Sequence, residues 1–581
     1  DTTARDANQI RLASATDWNE LVELERTEIG LSGARTMDTV LEQHPWLKVA
    51  QQVAAEQGFF HWDLDFAAVF ARGGFDLQVG NPPWVRPTVD LDALYSESDA
   101  WFSLAHKPTQ AEKNARREQW NDDQPTREVV YRGLAEALAT SAVLGDVTRY
   151  PHLAGQQPDL YRGFMERTWG NASDEGITSL IHPESHFTEK KAAPLRRSAY
   201  LRLRRHWHFV NELMLFDIAH VFYYGVHTYG KPHSVVCFQS ASHLYHPATA
   251  AESLRHDGSG VKPGFKDDSF RWDLRPHRDR IQLVTQDTLD VWWSVLGEAD
   301  ASSAETRMIS TVTNEASGVL AKLAEAQRIR DLQLSYSTGW HETGDKRAGY
   351  FETGWDRPCR WADAILQGPH LGVSTPMIKE PNPTNRSKGD WTSVDFEAMS
   401  VDFIPATGYQ PQRLRQPAFD SDFGSWEGQP QQGFYRVAWR AMAATTNFRT
   451  LYPALIPPGA THVHAVDSLA NCADNFSTLL AGTYMSSLIA DFIVRSSVGS
   501  NLSAASISVL PVVIEESPLV SAAVENYLRL NCLTEAYAPL WEELMGDAWD
   551  VDKPLRKDEE RRAAQVEIDA IVALSLGVTA D

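Results

Sequence analysis

The residues best suited by type and spacing to do chemistry are Asn81, Pro82, Pro83 and Trp84, which read Asn-Pro-Pro-Trp. The Asn81 side-chain oxygen and the Pro82 carbonyl are two hydrogen-bond acceptors that can surround an amino group. An amino group whose lone pair is delocalised into a ring or an amide, such as N6 of adenine, is a poor nucleophile. Both hydrogen bonds strengthen as positive charge develops on that nitrogen, so they favour the transition state of its methylation.

The rest of the motif and its position support this chemistry. Consecutive prolines fix φ near about −65° and so hold the two acceptors rigidly. Adenine must leave the duplex before its N6 is accessible, and Trp84 offers a flat face on which such a base can stack. The motif directly follows the alternating segment 75–80, a predicted strand, and ligands of open α/β sheets bind where strands end. A proline turn that merely ends a strand is the alternative interpretation.

Several segments resemble one known family. Residues 60–85 are similar to the motif IV region of gamma-class DNA adenine-N6 methyltransferases, above all those of type IIG restriction–modification systems and of BREX- and DISARM-type phage-defence systems. Residues 158–189 resemble the helix and strand that follow that motif. Residues 435–459 and 479–512 resemble the target-recognition region, and residues 560–578 the segment after it.

The resemblance implies a function and a set of partners. Asn81, Pro82 and Trp84 would hold the target base and Pro83 would keep the shape of the loop. S-adenosylmethionine would donate the methyl group to adenine in double-stranded DNA, with other defence-system subunits as further partners. Two alternatives stay open: methylation of glutamine amides in proteins, and a non-catalytic subunit for DNA recognition or assembly. Asp63 and Asp65 lie where the family carries acidic residues, without an assigned role.

A glycine-rich cofactor loop is missing from the expected place. Such methyltransferases hold the methionine part of the cofactor with a glycine-rich turn after the first strand, and no such pattern precedes Asn81. The glycines of residues 257–264 predict a loop, because Pro263 stands where a helix would begin. We therefore expect the chain to be an internal segment of a longer polypeptide.

The predicted fold is α/β: the C-terminal part of a Rossmann-like methyltransferase sheet, a separate mixed α+β target-recognition domain, and a helical C-terminal segment. Apolar spacing predicts helices over 18–31 and 36–58, alternation of strands and helices predicts a mostly parallel sheet, and 88–150 read as a helical insertion. The predicted parts are a methyltransferase domain over 1–250, a linker with a bridging helix at 316–332 over 251–334, a target-recognition domain over 335–515, and the helical segment 516–581.

The net charge of −23 speaks against a nucleic-acid partner as a property of the whole surface, but DNA binding needs only a local basic patch. One predicted patch is the basic stretch 189–208, which contains a predicted basic helix over residues 194–207. A second group of DNA contacts is predicted on the loops around 435–450. A solvated helix face and ordinary packing are the respective alternatives. The predicted DNA contacts are Arg196, Arg197, Arg202, Arg204, Arg205, Arg436, Arg440, Asn447 and Arg449.

Other classes of protein find little support. The four cysteines are far apart, which argues against a disulfide framework or zinc ribbon and favours the reducing cytoplasm. No apolar run reaches the roughly 20 residues of a membrane span. His182 and His186 have the spacing of zinc ligands, but Pro183 spoils the helix, so no metal site is expected. Residues 378–383 carry residue types of a nuclease without the expected strand.

Overall fold

The structure is a computed structural model that describes residues 19, 37–298, 300–384, 389–442, 447–497, 501–515 and 517–579. Its contacts divide the chain into two units, residues 1–76 and 77–581. Of the helix predicted over residues 18–31, only residue 19 is among the described residues.

The first unit contains short helices and a group of aromatic rings. The predicted helical stretch 36–58 is confirmed as two helices, the second of which ends at Gly58 with a left-handed φ of 61°. Beyond it Trp62 stacks on Phe66 at 5.4 Å, and Phe66 meets the edge of Phe75 at 5.0 Å. The helices of this unit are α1 Met37–Gln43, α2 Trp46–Gln57, α3 Trp62–Asp65 and α4 Ala67–Phe70.

A six-stranded sheet forms the framework of the site, in the order β1-β2-β4-β3-β5-β6. Its strands are β1 Phe75–Gly80, β2 Ala172–Pro183, β3 Leu203–Val210, β4 Tyr223–Tyr229, β5 Cys237–Leu244 and β6 Gln282–Thr285. Strand β4 is antiparallel to both β2 and β3, and β3 is parallel to β5. The predicted α/β class is confirmed, but the sheet is mixed rather than mostly parallel, because β4 returns between β2 and β3 and β6 is antiparallel to β5.

Strand β1 runs beside β2 and in the same direction. The Gln78 amide donates to the Thr178 hydroxyl at 3.1 Å, and the Trp84 indole N–H, further along, donates to the Ile181 carbonyl at 3.1 Å. The carboxyl ends of β1, β2, β3 and β5 therefore lie at one edge, which is where open α/β sheets bind ligands.

The predicted helical insertion after the motif is confirmed. Thr109 and Glu112 form a capping box at the start of its third helix, and Asp92 pairs with Lys113 and Arg117. These helices are α5 Leu91–Ser96, α6 Trp101–Leu104, α7 Gln110–Trp120 and α8 Gln124–Leu144.

Two predicted helices in the next part of the chain are shorter than expected. The basic helix ends at Arg202, where β3 begins, and the bridging helix ends at Leu323, because residues 327–328 pair with residues 511–512 as strands. The helices here are α9 Leu160–Asn171, α10 Ser185–Thr188, α11 Ala193–Arg202, α12 Pro247–Ser253, α13 Gln286–Leu296 and α14 Asn314–Leu323.

The later part of the chain is built on a four-stranded antiparallel sheet of residues 453–456, 436–440, 466–470 and 335–337, in that order. The strands are Gln327–Arg328, Ser335–Ser337, Phe351–Asp356, Ile365–Leu366, Lys379–Pro381, Trp391–Ser393, Thr407–Pro411, Ser425–Trp426, Gln429–Pro430, Arg436–Arg440, Pro453–Ile456, Thr461–His462, Val466–Ala470 and Pro511–Val512. The helices are Gly344–Ala348, Phe419–Asp422, Asn475–Met485, Leu488–Ser496, Ala504–Ser508, Pro518–Asn531, Ala538–Met545 and Asp558–Ser575.

Buried side chains of this later part join the same hydrophobic cluster as those near the first sheet. Tyr161 beside β2, Trp439 in the four-stranded sheet and Ile568 in the last helix all belong to it and are fully buried. The predicted boundaries at residues 250, 334 and 515 stay predictions. Among the described residues, no single helix is long and apolar enough to cross a bilayer. One pair of consecutive helices, Asn475–Met485 and Leu488–Ser496, has the required length and apolar content when taken together, but the pair is bent by 64°.

Candidate active site

The Asn-Pro-Pro-Trp loop begins where β1 ends, at the carboxyl edge of the sheet. Asn81 and Pro83 are exposed, Pro82 is buried and Trp84 is half-buried. No residue that the structure describes donates a hydrogen bond to the Asn81 side-chain oxygen or to the Pro82 carbonyl. Both acceptors that the sequence singles out are therefore free of partners within the described part of the chain.

Trp84 fixes this loop to the sheet. Its indole N–H donates to the Ile181 carbonyl at 3.1 Å, and its ring lies 5.3 Å from Phe216 and 5.8 Å from Tyr224. These contacts make Trp84 an anchor of the loop as well as a candidate stacking surface. The position of the loop on β2 was beyond sequence reasoning, because Phe216 and Tyr224 are distant in the chain.

The segment after the motif is held by a network of charged groups. The Arg86 guanidinium pairs with Asp159 at 3.5 Å and with Glu189 at 3.3 Å. The other Glu189 oxygen accepts from Arg162 at 2.6 Å, and Arg162 is 1% exposed. Arg162 also donates to the Ser185 hydroxyl at 2.9 Å. The network ties the loop to α9 and to the start of α10.

Four histidines share one face of the sheet, which the sequence analysis missed. The register places His227 of β4 opposite His206 of β3, and Gly225 opposite both His182 and His208. The side chains of residues that pair across two strands project from the same face of the sheet, and so do those of residues two positions apart in one strand. The spacing of His206 and His208, two residues apart, was a sign that both lie on one face of a strand. The pairing that brings the other strands beside them could not be predicted from the sequence.

Glu184 lies in the middle of this buried group. Its carboxylate is 3.0 Å from His206 Nε2 and 3.0 Å from His227 Nε2. Burial alone would raise the pKa of Glu184, but the charge attraction of His206 and His227 and the hydrogen bond from His206 hold it well below its ordinary value. His206 Nδ1 lies 2.9 Å from the Ser240 hydroxyl. Among the described residues, Glu184, His206 and His227 form one group whose ligand atoms are close enough to share a metal ion.

His182 and His186, the pair considered and set aside in the sequence, are both completely buried. His182 stacks on His227 with ring centroids 3.8 Å apart, and its Nε2 is 3.0 Å from the Tyr229 hydroxyl. Burial lowers the pKa of both His182 and His186 well below the ordinary value, so both rings are neutral near pH 7. They surround the group of Glu184, His206 and His227 without belonging to it.

Gly225 makes room for this group. A Cβ built on Gly225 would overlap Glu184 Oε1 and lie 2.6 Å from His227 Nε2. We expect Gly225→Ala to destabilise the protein by about 1–3 kcal/mol, because an added methyl would overpack a buried site. Denaturant unfolding followed by tryptophan fluorescence measures the change.

The control for that measurement is Gly170→Ala in α9. An added Cβ there meets no atom within 4 Å, so this helix substitution should be neutral or stabilising by about 0.5–1 kcal/mol. Equal stability of Gly225→Ala and the unsubstituted protein would show that the site is looser than these distances indicate.

Two cavities open at the same edge of the sheet. One of about 300 Å³ is lined by Glu184, His208 and Tyr223 among others. The other, of about 420 Å³, is lined by aromatic residues such as Phe265 and Trp272 together with Arg495. Residues 81–84 line neither of these two cavities, so the loop presents its acceptors beside them rather than within them.

Three of the predicted DNA contacts are buried. Arg196 is 2% exposed and donates to the carbonyls of His186, Glu189 and Glu305. Arg436 is fully buried, with its guanidinium against the Ala460 carbonyl, and burial lowers its pKa to about 9. Arg449 is buried and pairs with Asp569 at 3.3 Å. These arginines are buried and engaged with protein groups, which leaves almost no surface for DNA, so the structure does not fit the prediction of a DNA contact for them.

Three further arginines of that set are partly buried and engaged with protein groups. Arg202 lies over the Trp169 ring at 4.9 Å, Arg204 donates to the Lys231 carbonyl at 2.6 Å, and Arg440 lies over the Tyr452 ring at 4.2 Å. Arg197, Arg205 and Asn447 are exposed. Next to Asn447, the side chain of Phe448 is 83% exposed, a feature that composition did not single out.

Residues described ahead of Asn81 do not fit the methionine part of S-adenosylmethionine. Positions 37–74 form helices α1 to α4 and turns, without a strand that leads into a glycine-rich turn. Residues 257–264 are a loop, as predicted, after α12. Asp63 and Asp65 are exposed, and Asp65 accepts from the backbone N–H of His61.

The nuclease-like stretch has a different role from catalysis. Residues 379–381 do form a strand, contrary to expectation. The Glu380 carboxylate pairs with Arg357 at 2.7 Å and accepts from the backbone N–H of Ala406 at 3.1 Å. Both of its oxygens are thus engaged in holding the fold.

Comparison with known proteins agrees with the resemblance drawn from the motif. Residues 9–109 match the family model described as Eco57I restriction-modification methylase. No curated protein sequence matches this chain. The matched segment includes residues 81–84 and all of β1.

Similar solved structures include three restriction–modification enzymes. The type IIG restriction endonuclease BpuSI is 12% identical, with 86% of this chain and 54% of that chain covered and a TM-score of 0.26. The type IIL enzyme MmeI, in complex with DNA, is 9% identical. The match covers 87% of this chain and 55% of that chain, with a TM-score of 0.34. The ATP-dependent type ISP enzyme LlaBIII, bound to DNA, is 13% identical. The match covers 29% of this chain and 10% of that chain, with a TM-score of 0.16. The chain spans about half the length of the first two.

The matched segment, residues 9–109, contains the Asn-Pro-Pro-Trp motif and is similar to the Eco57I restriction-modification methylase family. The resemblance stated from residues 60–85 is confirmed at that level.

Proposed function

We propose that this chain is the base-binding and DNA-contacting part of a site-specific DNA methyltransferase that methylates N6 of adenine in a bacterial restriction–modification or phage-defence system. The observation that carries the proposal is the pair of free acceptors at the carboxyl edge of the sheet. Asn81 is exposed, and neither its side-chain oxygen nor the Pro82 carbonyl has a donor among the described residues.

The role of the chain's own residues follows from this arrangement. The two acceptors take the two N–H bonds of an extruded adenine and leave the nitrogen lone pair exposed for attack on the methyl group. Pro82 and Pro83 limit the motion of the loop, and Trp84 anchors it to Ile181. The exposed part of the Trp84 ring is available for stacking against the base.

S-adenosylmethionine is the proposed methyl donor, because the matched family is one of methylases. Since the described residues ahead of Asn81 do not form its glycine-rich turn, we assign no residue of this chain to the cofactor.

DNA contacts are proposed for the exposed members of the predicted set, namely Arg197, Arg205 and Asn447. Exposed arginines suit phosphate contacts, which position a protein on the duplex. Arg197 has only a 3.9 Å approach to Glu305, so its guanidinium is available to a phosphate.

A methyl-transfer assay on the natural full-length protein tests the proposal. With labelled S-adenosylmethionine, we expect label in duplex DNA carrying a recognition site, as N6-methyladenine after digestion to nucleosides. Label in protein glutamine amides instead would favour amide methylation. Cofactor binding without any transfer to DNA or protein would favour a non-catalytic subunit, and either result would overturn the proposal.

A further inference from the structure

We propose that Glu184, His206 and His227 bind a divalent transition-metal ion of the Zn²⁺ class, which ties the end of β2 to the middle of β3 and β4. The proposal is independent of the function proposed above. It rests on the identity, burial and spacing of three side chains from separate elements.

The donor set suits such an ion. Two imidazole nitrogens and one carboxylate are a ligand combination that zinc accepts. All three residues are buried, and His206 and His227 have no exposed surface at all. A buried carboxylate between two imidazoles is costly unless its charge is matched, and a cation would supply the match.

The distances also suit it. Glu184 oxygens lie 3.0 Å from His227 Nε2 and 3.0 and 3.2 Å from His206 Nε2. Zinc bonds of about 2.0–2.1 Å in a tetrahedral arrangement separate neighbouring ligand atoms by about 3.3 Å. Small movements of side chains would therefore bring all three atoms to bonding distance of one ion.

An unsatisfied ring provides a second and independent observation. Both nitrogens of His227 are buried without a hydrogen-bond partner, even though Nε2 is close to Glu184. Buried polar atoms normally have partners, and a metal bond would supply one for Nε2.

The surroundings match what supports a metal ligand. His206 Nδ1 lies 2.9 Å from the Ser240 hydroxyl, the kind of outer contact that orients an imidazole for metal binding through its other nitrogen. Gly225, opposite His182 and His208, keeps the space above the carboxylate open. Glu184 also lines the 300 Å³ cavity, which gives an ion a route to the site.

The experiment is metal binding by the chain with Zn²⁺ and Co²⁺ as probes, after treatment with a chelator. We expect one Zn²⁺ per chain by titration calorimetry and elemental analysis, a rise in melting temperature on binding, and visible Co²⁺ bands of a site with nitrogen and oxygen ligands. Glu184→Gln and His227→Gln should each weaken binding at least tenfold.

The matched control is His220→Gln. His220 also lies beside a carboxylate, at 3.3 Å from Glu212, but it is exposed, so its loss should leave the stoichiometry unchanged. Absence of binding by the unsubstituted chain, or equal binding by Glu184→Gln and His227→Gln, would overturn the proposal. If those variants fail to fold, X-ray absorption of the Co²⁺-loaded unsubstituted chain decides, because a first shell without imidazole contradicts the site.

Discussion

Replacing Asn81 with alanine is expected to lower kcat for DNA methylation by about a hundred- to a thousandfold, the usual loss on removing one preorganised transition-state hydrogen bond. The effect falls on kcat because the bond strengthens only as charge develops on the attacked nitrogen. Single-turnover transfer of labelled methyl groups to a duplex with one site measures it.

The same substitution should leave the fold and DNA binding nearly unchanged. Asn81 is exposed and has no hydrogen-bond partner among the described residues, so alanine removes no contact that holds the loop. Its control is Thr88→Ala, an exposed position later in the loop whose side chain has no described hydrogen bond. Full methylation by Asn81→Ala, with normal folding, would exclude the role given to this residue.

The second large effect is expected at Arg162, whose replacement by alanine should destabilise the protein by about 3 kcal/mol. The side chain is 1% exposed and donates to Gln156, Ser185 and Glu189 at 2.6–2.9 Å. Alanine leaves these groups without their donor. Since Glu189 also pairs with Arg86, the segment after the Asn-Pro-Pro-Trp loop should loosen as well.

Denaturant unfolding of Arg162→Ala and Arg162→Lys measures the loss. Lysine keeps the charge but not the planar fork of donors, so it should recover only part of the stability. Arg197→Ala is the control, since that side chain is 60% exposed and should cost less than about 0.5 kcal/mol. If Arg162→Ala and the unsubstituted protein unfold at the same denaturant concentration, the network does not hold the loop in solution.

The two predictions separate the chemistry of the loop from its support. Asn81→Ala should be a folded protein that fails at methyl transfer. Arg162→Ala should be a destabilised protein whose remaining activity falls more steeply with temperature than that of the unsubstituted chain.

Local sequence was enough to predict the Asn-Pro-Pro-Trp loop and its immediate setting. Asn81 and Pro82 directly follow Gly80, the last residue of β1. An alternating segment followed by two prolines was therefore enough to predict a strand that ends in a loop with two acceptors. The helices of 88–150 and of 558–575 were likewise predictable, because their apolar spacing and caps act within a few residues.

Charge alone did not determine which cations face solvent. Arg196 and Arg197 are neighbours, yet one is buried against three carbonyls and the other is exposed. The difference arises because α11 packs one of its faces on the segment around Glu305, more than a hundred residues later. Arg436 and Arg449 were misassigned for the same reason, since their partners Ala460 and Asp569 lie in other elements.

The sequence by itself thus determined the Asn-Pro-Pro-Trp loop, the strand before it and the family that the segment containing them resembles. Only the tertiary structure decided what surrounds that loop. The meeting of Glu184, His206 and His227 depends on β4 returning between β2 and β3, with Gly225 opposite His182 and His208. Strand register is set by packing across the whole sheet, and no pattern within a single strand encodes it.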